Sequence, residues 1–454
     1  MIRLMILIFS ILVVSGCTSN TAQKSMSAAD DHPDRVFSAS GGSENNLAGI
    51  KPDAVCEPNG LLTLKDALQL TLIHNPELQS YSYGIRVAQA RQLQSGRWQN
   101  PKLGIEVENV GGSGNFSGFD ASETTIQLSQ LIPMGGKVQK RQKVYAYDTA
   151  LFKLDYEAKQ LDIGTELTKL FVNLLLIQRK KELSHELVQI SSQVAGSIDK
   201  RVQAGKDSPL DLSKANVAVA KAKIQHHGIT QYESVFRKKL ASFWANQTPT
   251  FTALSGQLDQ VNEIPEQASL QDLLQNNPDV ARWAIEVQKR KAQVEMARSE
   301  STPDITLGGG VKYFNETDDT AIVFGLSVPL PVANQYRDSR LEASHNLRKT
   351  LKQQQVSFLD AWNELNRLYA NLENAYVKAT ILKNEVLKTS SELFAASEVS
   401  YKQGKIDYLA LMDAQKIYFE SKNDYIDALA EYHTSKTELE RLIGQNLQAI
   451  NQNP

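Results

Sequence analysis

Two hydrophobic patterns alternate along this chain, and each occurs twice. In Leu103-Gly104-Ile105-Glu106-Val107-Glu108 apolar and polar residues alternate strictly, the period-two signature of a strand. Strands are predicted at about 102–110 and 124–132, and again at about 304–313 and 321–330. In the second pair Ile305, Leu307, Val311 and Tyr313 share one face, with Thr306, Gly308, Gly310 and Lys312 on the other. Ile322, Phe324, Leu326, Val328 and Leu330 share a face of the last strand. Each segment approaches the ~9–11 residues that a tilted strand needs to cross a bilayer. Four strands of a small soluble sheet are the alternative.

After each strand pair the period changes. Val144, Tyr147, Leu151, Leu154, Ala158 and Leu161 step by three and four, and Leu167, Leu170, Leu174 and Ile177 resume the pattern. Trp362, Leu365, Tyr369, Leu372, Tyr376 and Ala379 do the same later. Such seams pack against neighbouring helices by knobs into holes. No proline occurs between 134 and 208 or between 332 and 453, so a helix is expected to run unbroken from about 334 to 403. At ~1.5 Å per residue that is a rod of about 100 Å, far beyond the ~11–12 residues of an ordinary helix. Gly205 and Gly404 end the rods and turn them back, giving two long hairpins at about 137–245 and 334–443.

The two halves repeat one design. His74-Asn75-Pro76-Glu77-Leu78 is echoed by Asn276-Asn277-Pro278-Asp279-Val280, and Val202-Gln203-Ala204-Gly205-Lys206 by Tyr401-Lys402-Gln403-Gly404-Lys405. The spacing of about 200 residues is too long for a solenoid unit and implies two equivalent halves, 61–250 and 266–445.

Composition narrows the class. Forty-one per cent hydrophobic residues suffice for a core, and 49 basic against 51 acidic residues argue against a nucleic-acid partner. Only the extreme N-terminus carries a long apolar run, which excludes a polytopic helical membrane protein but not a β-barrel. That run, Leu4 to Val14, has the layout of a secretory signal over residues 1–16. Val14-Ser15-Gly16-Cys17 resembles a bacterial lipobox, which makes Cys17 the acylated first residue of the mature chain. Thr18 after it, in place of Asp, implies export onward to the outer membrane. Residues 17–60 read as a polar tether, and 446–454 as a C-terminal tail. With Cys17 lipidated, Cys56 has no intramolecular partner.

No catalytic constellation stands out, so an enzyme is not expected. The seven histidines show no metal-ligand spacing, and His226-His227 reads as a solvated helix face, with a weak surface metal contact as the alternative. Gly308-Gly309-Gly310 lacks the Lys-Ser/Thr of a phosphate loop. No cofactor or resident metal is expected.

Four strands from one chain cannot close a membrane barrel, and open strand edges in lipid leave backbone groups unsatisfied. The chain must therefore oligomerise if the strands lie in a membrane; two, three or four copies satisfy that requirement. The lipobox, the Asn-Pro-[Glu/Asp] helix starts, the duplicated halves and the glycine-turn tips resemble the TolC family of outer-membrane efflux ducts. Glu106-Val107-Glu108-Asn109-Val110-Gly111-Gly112 and Gln130-Leu131-Ile132-Pro133-Met134-Gly135-Gly136-Lys137 are similar to its CzcC-like heavy-metal branch. The resemblance implies a mainly α protein with membrane β structure: a homotrimer with a twelve-stranded β-barrel on a long α-helical barrel in the periplasm. It implies as partners a periplasmic adaptor, or membrane fusion protein, and an inner-membrane resistance-nodulation-division pump. The cargo would be heavy-metal cations, with drugs or secreted proteins as the alternative; a periplasmic coiled-coil adaptor or scaffold is the reading of a different class.

By the same resemblance, Asp211 and Asp413 match the periplasmic constriction, whereas Ala410 stands where an acidic residue is usual. Tyr401 is expected beside Asp211 as a gate contact, and Gly205, Leu210, Gly404 and Leu409 as hairpin-tip positions that meet the adaptor. Asp211 as a helix N-terminal carboxylate and Tyr401 as seam packing are the plainer roles.

Overall fold

The computed structural model describes residues 57–447. Cys17, Cys56, the signal segment, most of the tether and residues 448–454 lie outside the described residues. The last tether residues belong to the fold. The Glu57 carboxylate accepts hydrogen bonds from Trp244 Nε1 (2.5 Å), Asn246 Nδ2 (2.7 Å), and the Thr250 amide (2.6 Å) and hydroxyl (2.9 Å). Burial pushes this carboxyl up, but those four donors outweigh it and hold it below the usual range.

Strand β1 (Leu61–Thr63) leads into α1 (Leu64–His74) through a capping box between Thr63 and Asp66. Helix α2 (Pro76–Ser95) follows, then β2 (Lys102–Glu108) and β3 (Glu123–Ile132). The first hairpin comprises α3 (Lys137–Gln203) and α4 (Pro209–Ala241). Strand β4 (Ala253–Ser255) runs parallel to β1, and α5 (Gln267–Gln271) precedes α6 (Pro278–Ser299). Strands β5 (Ile305–Phe314) and β6 (Asp319–Ser327) then lead to the second hairpin: α7 (Arg337–Ile381), a π-helical turn (Leu382–Val386), α8 (Leu387–Lys402) and the returning α9 (Tyr408–Ile443).

The 67 residues of α3 give a rod of about 100 Å, as the proline-free sequence implies. The second rod differs from expectation at two points. It starts at Arg337, because Tyr336 adopts a left-handed φ of 56°. It is also interrupted by the π turn, a local rewinding that a hydrophobic period does not encode.

Asn75 and Asn277 do the same work in the two halves. Each side-chain oxygen caps its helix, accepting from Glu77 N and Leu78 N or from Asp279 N. Each amide nitrogen donates to carbonyls near the end of that half's returning helix, Phe243 O, or Arg441 O and Leu442 O. The helix start is thereby tied to the base of its hairpin.

Three apolar clusters hold the described fold together. Leu62, Leu167, Phe171, Leu174, Trp244, Phe251 and Leu254 gather at the base of the first hairpin, where the β1–β4 pair lies. Leu270, Leu274, Leu365, Leu372, Tyr432 and Ile443 form the equivalent base of the second. Val194, Ile198, Ala215, Phe394, Tyr401, Tyr408 and Leu411 join the two hairpins near their tips. The seam residues Val144, Leu151, Leu167, Leu170, Leu174, Leu365, Leu372 and Ala379 are buried as the heptad spacing requires.

Candidate functional site

The strands form one antiparallel sheet in the order β2-β3-β5-β6. Its register aligns the apolar positions in rows: Ile105, Ile126, Val311 and Ile322 in one, Leu103, Leu128, Gly309 and Phe324 in the next. On this face Ile105, Ile322 and Phe324 are 66%, 72% and 83% exposed, so the apolar band is uncovered in the single chain. The opposite face carries Gly104, Glu106, Glu108, Glu123, Thr125, Gln127, Gly308, Gly310 and Lys312. There Lys312 bridges Glu108 (2.8 Å) and Glu123. A side chain at Gly310 would put its Cβ 2.4 Å from the Ile126 carbonyl oxygen, so this position requires glycine. β2 and β6 are the sheet's two edges, each paired on one side only.

At the other end of the rods, both hairpins turn by the same device. Gly205 (φ 72°) and Gly404 (φ 73°) take the left-handed conformation. Around them Lys206 N and Lys405 N donate back to Arg201 O (2.8 Å) and Ser400 O (2.9 Å), the Schellman pattern that closes a helix C-terminus. Ser208 and Asp407 cap the returning helices. Two residues beyond each cap, Leu210 and Leu409 stand 63% and 66% exposed.

Between the tips lies a three-residue contact. Arg201 Nε and Nη2 donate to Asp207 Oδ2 (2.8 Å) and Oδ1 (3.0 Å), and the Tyr401 hydroxyl donates to Asp207 Oδ2 (2.7 Å). The Arg201 guanidinium also sits 4.9 Å from the Tyr401 ring centre. The Arg201 hydrogen bonds hold the Asp207 carboxyl below the usual range, with Tyr401 adding to them. Burial, then the bond to Asp207, pushes the Tyr401 phenol up, so it remains a donor.

The hydrogen bond expected between Tyr401 and Asp211 is made to Asp207 instead, while Asp211 stays near enough for its charge to act on the phenol. Arg201, which reaches over the turn, fixes Asp207 where the phenol arrives. Asp211 sits at the third position of α4, with Lys214 3.5 Å away. Tyr401 packs in the tip cluster as well, being 4% exposed. Asp413 is exposed on α9 and lines a groove of about 1,020 Å³ together with Asp407, Leu409, Lys221, Phe419 and Glu420. At Ala410, where the sequence lacks a carboxylate, the backbone amide donates to the Asp407 side chain (2.9 Å). Arg201 and Asp207 were not singled out by the sequence; a cation and a carboxylate flanking a helix-terminating glycine were the available signal.

Among the described residues no three His, Cys, Asp or Glu side chains converge in a way that could hold a metal ion. No described helix is long and apolar enough to cross a membrane.

Comparison with known proteins gives a consistent picture. The model of the family "outer membrane efflux protein" matches residues 67–232 and 269–445. The cobalt-zinc-cadmium resistance protein CzcC of Cupriavidus metallidurans is 27% identical over 389 residues, covering 86% of this chain and 91% of that protein. The nickel and cobalt resistance protein CnrC of the same organism is 22% identical over 271 residues, covering 60% of this chain and 64% of its own length. Among solved structures, the channel-forming protein CusC superposes with a TM-score of 0.72 at 15% identity, covering 87% of this chain and 96% of that one.

Proposed function

This chain belongs to the outer membrane efflux protein family, and from that premise we propose that three copies form a passive duct carrying heavy-metal cations out through the outer membrane. The observation that carries the reading is the four-stranded sheet with an uncovered apolar band, a polar reverse face and two open edges. Lipid is the solvent such a band fits, and closure with neighbouring copies satisfies the edges. Three copies give twelve strands, with Glu106, Glu108, Glu123 and Lys312 facing the lumen.

The helices support assembly too. Leu210, Val217 and Ile224 recur every seven residues on α4 and are 63%, 55% and 73% exposed. That is a coiled-coil seam awaiting a helix from another chain. In the duct the rods become the wall of a periplasmic tunnel, and the tips, with Leu210 and Leu409 outermost, meet a periplasmic adaptor. The adaptor couples the tunnel to a resistance-nodulation-division pump, which does the energetic work. Cys17 adds a lipid anchor.

The Arg201–Asp207–Tyr401 contact is the closing device in this reading. It joins the two hairpins of one chain through part-buried polar contacts at the tips that an adaptor can replace, so docking shifts the tips toward an open state. Metal cargo is inferred from the CzcC and CnrC likeness. The test is cellular accumulation of Zn²⁺, Co²⁺ and Cd²⁺ after deletion of the gene, with its pump and adaptor left intact. Increased accumulation restored by the wild-type chain supports metal export. Unchanged metal with increased retention of an organic pump substrate assigns the duct to drugs instead.

A further inference from the structure

Midway along the first hairpin, two histidines that the sequence separates by about 40 positions face each other across the α3–α4 pair. The ring centres of His185 and His226 are 5.4 Å apart, at an interplanar angle of 48°. His227, the sequence neighbour of His226, points elsewhere, since adjacent helical residues diverge by ~100°.

The hydrogen bonds around the pair prepare one ring as a ligand. The Ser184 hydroxyl donates its only proton to Lys181 O (2.8 Å). The serine oxygen also lies 2.9 Å from His226 Nδ1, and in the Nδ1–H tautomer it accepts that proton while Nε2 keeps a free lone pair. A second hydrogen bond that fixes tautomer and ring orientation is the usual support of a metal-bound histidine. The Gln189 side-chain amide nitrogen contacts His185 Nε2 (2.9 Å) on the exposed side of α3, a partner that a metal ion at that nitrogen displaces. The nearby Lys181 ammonium is neutralised by Glu233 at 2.6 Å, so it does not oppose a cation.

The spacing suits one ion. With Zn–N bonds of about 2.0–2.1 Å, two imidazoles on a tetrahedral centre have ring centres about 5.2 Å apart. We propose that His185 and His226 bind a divalent transition-metal ion, Zn²⁺ being the best-fitting probe, through one imidazole nitrogen each. Water and the Gln189 carbonyl oxygen complete the shell. The ion staples α3 to α4 and stiffens the first hairpin. The site lies on the helix surface and does not depend on what passes through the duct.

The test is titration of the intact, detergent-solubilised protein with Zn²⁺ alone, by calorimetry, for the wild type, His185→Gln, His226→Gln and the control His345→Gln. Wild type and control should show one site per chain that either of the other variants weakens at least tenfold. Co²⁺ substitution should give the visible absorption of a low-symmetry nitrogen-ligated centre, lost in the same two variants. Zn²⁺ should also raise the thermal midpoint of the wild type but not of His185→Gln. Unchanged Zn²⁺ affinity in both variants, or no wild-type binding up to millimolar Zn²⁺, overturns the site. Neither result bears on metal export, which is read from cellular accumulation.

Discussion

The Tyr401 hydroxyl, on the second hairpin, donates a 2.7 Å hydrogen bond to Asp207 at the turn of the first. A bond to a charged group contributes ~1.5–3 kcal/mol when well formed, less where water competes. In the proposed three-copy duct, such bonds would bias a closed tip by several kcal/mol and stay reversible. Tyr401→Phe and Asp207→Asn should each raise resting single-channel conductance, and the double variant should show a less-than-additive increase. Asp211→Asn should stay near wild type. Wild-type conductance in the first two, with assembly intact, removes this contact from the gate.

The same contact predicts a pH response. The folded-state pKa of Asp207 lies below its unfolded value, with Arg201 as the main cause. Its contribution is therefore complete above the ordinary carboxylate range and is lost as pH falls through the depressed folded value. Resting conductance should stay low from neutral pH down to the ordinary carboxylate range and rise only below it. In Asp207→Asn that acid-induced step should be missing. A step of equal size in the variant assigns it to other groups.

How far the sequence reached depended on range. Alternation fixes a strand's two faces, so the strands expected at about 102–110 and 304–313 were legible, and they are found at 102–108 and 305–314 with their apolar and polar faces as read. Heptad steps and absent prolines fixed the rods, and Gly205 and Gly404 fixed their turns. The tip contact was not legible in detail. Asp207 and Asp211 both lie within a helical turn of the tip, and the choice between them depends on Arg201 reaching back over the glycine. The His185–His226 pairing follows from the register of α3 against α4, which no local pattern states. The π turn at Leu382–Val386 likewise has no hydrophobic signature.

Glu57 predicts a stability effect outside the tips. Glu57→Ala leaves the Trp244 indole N–H and the Thr250 amide without their acceptor, each costing about 1–3 kcal/mol if it stays buried. Thermal unfolding followed by circular dichroism should show a midpoint lowered by several degrees. A midpoint equal to wild type means that the chain before β1 is not fastened by this carboxylate.

Cys17→Ala should abolish incorporation of radiolabelled palmitate while leaving assembly intact, because the proposed barrel would supply its own membrane attachment. Continued labelling of the variant contradicts the lipobox reading.

The most direct measurement for the duct itself is the native mass of the protein extracted from outer membranes in mild detergent. The open β2 and β6 edges, the uncovered apolar band and the exposed Leu210–Val217–Ile224 seam require more than one chain, and the proposed duct sets the expected mass at three, with both hairpins protease-resistant only in that form. A stable single chain that keeps its four strands ordered without detergent contradicts the barrel and, with it, the duct.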